Sequence, residues 1–163
     1  MDIGEIYERY GPEVYRFLLR LSGNPTLSED ITQTTFLKAI EHIDSFKEQC
    51  SLKTWLCQIA KNEYLNTLKK AESRNVPLEE EHLEHSRTTV GLEEQMAHAE
   101  TAREIRAAVN HLKEPYKEVF ILRVYGELSF REIGDVFGKS EVWGRVTYLR
   151  SREKVVELWK RGE

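Results

Sequence analysis

The sequence predicts an all-α chain: two small helical domains joined by a flexible acidic linker. Three observations carry that prediction. Apolar residues recur at helical spacing through residues 2–21 and in two further stretches before Arg74, and no alternating run makes a strand. Residues 75–95 then hold few large apolar side chains and gather Pro77, Gly91 and the run Glu79-Glu80-Glu81. From Leu92 a helical pattern returns. It ends in two helices parted by Gly138, which is the layout of a helix-turn-helix.

Each element follows from local chemistry. Ile3, Ile6, Tyr7, Tyr10, Val14, Phe17, Leu18 and Leu21 share one helical face, with Gly11-Pro12 as punctuation and Gly23-Asn24-Pro25 as the stop. Thr26 and Glu29 have capping-box spacing, and the helix they start should run to about Ile43 with Leu27, Ile31, Thr34 or Thr35, and Ile40 on its core face. Ser51 is placed to cap a third helix carrying Trp55, Leu56, Ile59, Ala60, Leu65 and Leu68. These make an N-terminal domain over residues 1–74, followed by a linker over 75–95. In residues 96–163, Ala99, Ala102, Ile105, Val109 and Leu112 mark a fourth helix, Glu114-Pro115 breaks it, and Tyr116–Arg123 starts another. Ile133, Val136 and Phe137 then line the first helix of the helix-turn-helix, and Ser140 can cap the second.

Composition narrows the function. The chain has 163 residues, 40% hydrophobic and 32% charged, which suits a folded helical protein rather than a disordered one. No stretch has the apolar length of a membrane span, and the acidic start Met1-Asp2-Ile3-Gly4-Glu5 lacks a secretory pattern, so the expected location is cytoplasmic. Cys50 and Cys57 form no CxxC pair. His82 and His85 sit among glutamates in the linker, without rigid support for a metal. No Ser/His/acid set, phosphate loop or metal cluster points to an enzyme, a cofactor or a small-molecule substrate. The net charge of −4 hides a partition. Between Ala71 and Glu100 eight acids face two bases; between Lys47 and Arg74, and again between Ser140 and Arg161, six bases face three acids. Two basic modules flank an acidic connector, a distribution that suits nucleic acid as partner.

Five segments, in order, resemble one family. Glu29-Asp30-Ile31-Thr32-Gln33-Thr34-Thr35-Phe36 resembles its "EDxxQxxF" helix, and Thr54-Trp55-Leu56-Cys57-Gln58-Ile59-Ala60-Lys61-Asn62 its "TWLxxIAxN" segment. Leu112–Phe120 is similar to "LPxxxRxVF", Leu128–Ile133 to "LSxxEIA", and Arg150–Val155 to "RAREKL". Each alone is weak; five in order over nearly the whole chain are specific. The family is the extracytoplasmic-function sigma factors, which direct bacterial RNA polymerase to promoters.

The resemblance implies a job for each segment. Asp30, Gln33 and Phe36 would dock on the β′ clamp of core RNA polymerase, with the β flap as a further contact for the C-terminal domain. Asp30 and Gln33 lie one turn apart and can offer acceptors to a basic partner helix. Lys53, Lys61, Asn62, Lys69, Lys70 and Arg74 would hold the melted minus-ten promoter element, since cations attract phosphates and single-stranded bases accept stacking and hydrogen bonds. Trp55 has core spacing, and Tyr64 is open to either reading. Lys139, Ser140, Glu141, Trp143, Arg145, Thr147 and Arg150 would face the minus-thirty-five element in the major groove. There Arg145 can pair with guanine and Glu141 can accept from cytosine. Arg150 and Arg152 fit phosphate contacts or an ordinary solvated face equally well. The acidic linker either threads the polymerase cleft or serves as a tether. An anti-sigma factor, membrane-associated in many relatives, would limit activity.

The chain departs from the family pattern at several positions. Asn66 replaces an Asp, Lys69 an Arg and Leu52 a Phe; Trp143, Gly144 and Thr147 stand for Thr, Val and Arg in the second helix of the helix-turn-helix. A mid-helix Gly costs about 1 kcal/mol against Ala, and Trp143 is expected to be exposed to DNA or to another protein. Two other functions compete: an operator-binding dimeric regulator, and a helical interaction module that has lost DNA binding.

Overall fold

Apolar spacing sets the length of the first helix. The fold is a computed structural model that describes residues 2–46, 48, 50–75 and 92–162. Helix α1 runs Ile3–Ser22 without a break, capped by Asp2, whose carboxylate accepts from the Gly4 N–H. Pro12, expected to punctuate it, sits inside the helix. A proline there forfeits one backbone bond at a cost of about 3 kcal/mol. Five buried apolar side chains on the same helix, Ile6, Val14, Phe17, Leu18 and Leu21, contribute about 1.5–3 kcal/mol each, so burial wins.

Helix α2 runs Pro25–His42 and starts from a different cap than the expected Thr26/Glu29 box. Asn24 accepts from the Leu27 N–H at 3.0 Å, and Pro25 takes the first helical position, where its missing N–H costs nothing. Ile31, Thr35, Phe36 and Ala39 face inward. Ile40, expected in the core, is 47% exposed. Of Thr34 and Thr35 it is Thr35 that is buried, and it donates to the Ile31 carbonyl at 2.7 Å. Helix α3, Leu52–Ser73, is capped by Ser51 as its sequence predicts, with the Thr54 N–H 3.1 Å from the serine oxygen.

The C-terminal half holds α4 (Leu92–Asn110), α5 (Tyr116–Phe120), α6 (Phe130–Phe137) and α7 (Glu141–Lys160). Helix α5 widens into one π turn, Ile121–Tyr125, closed by the Gly126 N–H to the Ile121 carbonyl at 3.1 Å. Among the described residues there is no strand, which agrees with the all-α expectation. Most of the expected linker, with His82 and His85, lies outside the described residues.

Polar contacts join the two halves. The Arg20 guanidinium of α1 donates twice to the Tyr125 carbonyl at the end of the π turn, at 3.1 and 3.3 Å. Lys61 of α3 pairs with Glu118 of α5 at 3.1 Å. The Thr54 hydroxyl of α3 donates to Glu132 of α6 at 2.8 Å.

Candidate nucleic-acid interface

Helix α2 sorts its side chains cleanly. Asp30, Gln33, Leu37, Ile40 and Glu41 are exposed on one face, while Ile31, Phe36 and Ala39 fill the other. Phe36 is 4% exposed and meets Tyr7 edge to face at 5.0 Å. It therefore supports the helix from behind and does not face a partner, which corrects the expectation for it. Leu37 takes its place on the outer face, 60% exposed beside Asp30 and Gln33. A leucine between two acceptor groups makes a surface that can bury an apolar spot and satisfy donors around it.

Helix α3 splits the expected cations. Asn62, Lys69, Lys70 and Arg74 are exposed, and Lys53 is half-buried. Lys61 is not on that surface: it is 3% exposed, its ammonium turned to Glu118. A lysine this buried needs a partner to offset its lost hydration, and a carboxylate supplies one. In this arrangement Lys61 is a structural cation between the domains, contrary to its expected place on the phosphate-facing side. Trp55 lies tilted against Phe46 at 5.1 Å, and Tyr64 is buried, so neither is a free platform for a base. Asn62, Asn66 and Lys69 open into a cleft of about 820 Å³ whose opposite wall includes His111 and Lys117.

The helix-turn-helix is built from caps and two close approaches. Ser129 and Glu132 form a reciprocal capping box on α6, each accepting from the other's backbone N–H at 3.1 Å. Burial alone would push the Glu132 carboxyl up. The Ser129 backbone N–H, the Thr54 and Ser129 hydroxyls and the charge of Lys53 together hold it below the usual carboxylate range. Gly138 ends α6 with φ +65°, a left-handed turn, and Ser140 caps α7 by accepting from the Trp143 N–H at 3.1 Å. A Cβ at Gly144 would lie 2.7 Å from the Phe130 carbonyl oxygen, and one at Gly134 the same distance from the carbonyls of Lys139 and Ser140. No side chain fits at such distances, so the helix crossing itself explains Gly144.

The buried line of α7 is Gly144, Thr147, Ser151 and Val155. Thr147 is 6% exposed and packs inward, which corrects its expected place at the DNA. Trp143, also expected at an exposed surface, is half-buried and lies against Phe137 at 5.1 Å. Lys139, Ser140, Glu141, Arg145 and Arg150 are exposed. Arg145 stands 3.9 Å from Glu141, and its guanidinium lies 5.7 Å from the Phe130 ring centre. The outermost line of α7 is occupied by Val142, Val146 and Leu149. Sequence reasoning missed these three, because exposed apolar residues read as core when periodicity is the only guide.

This arrangement has known counterparts. Residues 6–74 match sigma-70 region 2, and residues 95–155 match sigma-70 region 4. The chain belongs to the extracytoplasmic-function group of sigma-70 factors. The ECF RNA polymerase sigma factor SigM of Bacillus subtilis is 29% identical over 99% of this chain and 98% of its own. The RNA polymerase sigma factor YlaC of the same organism is 28% identical over 93% of this chain and 88% of its own. Among solved structures, the sigma factor RpoE of Bartonella quintana, in complex with the anti-sigma factor NepR, superposes with a TM-score of 0.61. It is 25% identical, and the match covers 96% of each chain. CnrH, solved with the cytosolic domain of CnrY, shares the fold at a TM-score of 0.59 and 20% identity over 99% of this chain and 89% of that one.

The sigma factor is thus a transcription initiation factor that gives RNA polymerase its choice of promoter. Among the described residues of this sigma factor, no helix is long and apolar enough to cross a membrane.

Proposed function

We propose that this sigma factor docks on the β′ clamp of core RNA polymerase through the outer face of α2. Asp30 and Gln33 supply acceptors there, and Leu37 and Ile40 supply the apolar contact. The exposure of these four on one face, with Phe36 bracing the helix from inside, is the observation that carries this reading. The α7 helix reads the minus-thirty-five element in the major groove, with Arg145 beside the bases and Lys139 and Arg150 at the phosphates. Asn62, Lys69, Lys70 and Arg74 hold the melted minus-ten strand, with Lys53 at the margin. Residues 1–74 and 96–163 are the two working domains, the latter also meeting the β flap, and 75–95 is the connector between them. The factor acts in the cytoplasm, without a catalytic step or cofactor of its own. An anti-sigma protein limits it, as the RpoE–NepR complex supports for a relative of similar length.

The test is capture of core RNA polymerase by the purified full chain, beside an Asp30→Ala/Gln33→Ala variant. Binding by the wild type that the variant loses is expected. Tight binding to duplex DNA alone, with no binding to polymerase, would overturn the reading in favour of an operator-binding regulator.

A further inference from the structure

The outward line of α7 is apolar over its N-terminal half. At about 100° per residue, the direction opposite the buried Gly144, Thr147 and Ser151 is taken by Val142, Val146 and Leu149. These are 61%, 39% and 48% exposed. Arg145 and Arg150, both exposed, flank them on the two sides of the helix. The large aromatic at the start of the helix, Trp143, is turned away onto Phe137 and adds nothing to this line.

We infer that Val142 and Val146, with Leu149 behind them, select thymine in the upstream element by packing on its 5-methyl group. The inference rests on the placement of α7 in the major groove proposed above. The thymine methyl is the one apolar group that projects from a base pair into that groove; cytosine offers only a bare C5–H there, and the remaining features are hydrogen-bond donors or acceptors. Apolar side chains at the centre of a reading helix therefore have one thing to recognise. They also leave donors and acceptors of other bases desolvated and unpaired, which rejects those bases. Cations on both flanks fit the same occupant. Arg150 on one side and Arg152 on the other, both exposed, reach phosphates on either wall of the groove while the apolar line meets its floor, and an apolar protein partner gives them no such role. Glu141 and Arg145, one turn apart at the N-terminal end, lie beside this line and are the polar readers of neighbouring pairs.

The test uses the polymerase holoenzyme carrying the full sigma factor. Duplexes with a randomised upstream element are selected by the wild-type holoenzyme, and each thymidine of the winning element is replaced singly by deoxyuridine. That change removes only the methyl group. At least one replacement is expected to weaken wild-type binding about fourfold, the value of one buried methyl. The same replacement should cost nothing further in the holoenzyme carrying Val142→Ala or Val146→Ala. Both sites are exposed and alanine favours helix, so equal thermal melts for the two variants serve as the folding control. An element without thymine, no loss on any replacement, or an equal loss in both variants would overturn the inference. So would valine variants that lose core polymerase with no change in the deoxyuridine ratio, since the line would then cover protein. Failure of the underlying reading looks different: an Arg145→Ala/Arg150→Ala holoenzyme would select the same upstream sequences as the wild type.

Discussion

The two helices proposed to face DNA, α3 and α7, treat their polar side chains in opposite ways. Helix α7 buries small residues, Gly144, Thr147 and Ser151, and leaves its charged and outermost positions exposed. Helix α3 buries a charge: Lys61 points into the joint between domains and is held by Glu118, while Asn62 beside it stays exposed. The proposed upstream reader therefore shares no part of its outer face with a joint. The proposed minus-ten surface shares its helix with a joint to the other domain. A helix that crosses another closely needs small inner residues, and a helix that ties two domains together needs a polar anchor. The sequences of α7 and α3 follow those two demands.

The sharpest way to break the contrast is at the helix crossing. Replacing a mid-helix glycine with alanine ordinarily stabilises by about 1 kcal/mol. Here Gly134→Ala and Gly144→Ala should each destabilise by about 2–3 kcal/mol, because the added Cβ meets backbone carbonyls at 2.7 Å. Urea denaturation of the full chain reads the effect, and a stabilised variant would refute the close crossing. The next effect is at the joint. Breaking a fully buried ion pair costs about 3–5 kcal/mol; the Glu118 side chain is 27% exposed, so Lys61→Ala is expected to cost about 2 kcal/mol. A Lys61→Met/Glu118→Leu double variant should recover most of that loss, since it leaves no charge unpaired. Equal losses in the single and double variants would show that the pair is not what holds Lys61 inward.

The same comparison shows what was legible in the sequence. Helices α3 and α7 announce their caps locally, through Ser51 and Ser140, and both serve as the residues predict; the Ser129–Glu132 box of α6 was not anticipated, though its spacing is as local. The proposed docking face of α2 was half legible. Asp30 and Gln33 are placed by spacing, but Phe36 and Ile40 exchange sides with the expectation because spacing alone does not say which of two apolar stripes faces the core. Pro12 misled for a reason of magnitude, since one lost hydrogen bond yields to the burial on a 20-residue amphipathic helix. Gly144 read as a cost to the helix because its benefit lies in Phe130, fourteen residues away. Lys61 was beyond reach of any local rule: its partner Glu118 comes from the other domain.

Acid titration sharpens the picture with smaller effects of opposite sign. Glu132 is held below the usual carboxylate range in the folded chain. Its contribution is present above the ordinary carboxylate pKa and is lost as pH falls through the folded value, so Glu132→Gln should flatten that part of the stability curve. Glu114 is raised, first by burial and then by the neighbouring charge of Glu118. Its ionised form disfavours folding above the ordinary pKa, and protonation relieves that penalty as pH falls through the raised value. Glu114→Gln should therefore stabilise the chain at neutral pH and lose its advantage in acid. Denaturation midpoints of both variants between neutral and acidic pH would decide it, and shifts of the same sign would contradict the two environments.

The smallest effect reports on the joint itself. Cys57 is buried in α3 and its thiol is pushed up to about 12, chiefly by desolvation, so it should resist alkylation at mildly alkaline pH. Cys50 lies just before α3 and is half-buried. Its thiol is raised by burial first, and then by Asp135 and Glu132, two carboxylates that belong to the other domain. Closure of the domains thus slows Cys50 by placing negative charge beside a forming thiolate. If core polymerase draws the helix-turn-helix away from α3, both carboxylates leave and burial falls, so alkylation of Cys50 by iodoacetamide should accelerate while Cys57 stays slow. A Cys57→Ala variant isolates the signal, and Glu132→Gln/Asp135→Asn should raise the starting rate without polymerase. An unchanged Cys50 rate on binding polymerase would mean that the joint between α3 and the C-terminal domain persists in the holoenzyme, with Lys61 acting there as an anchor throughout.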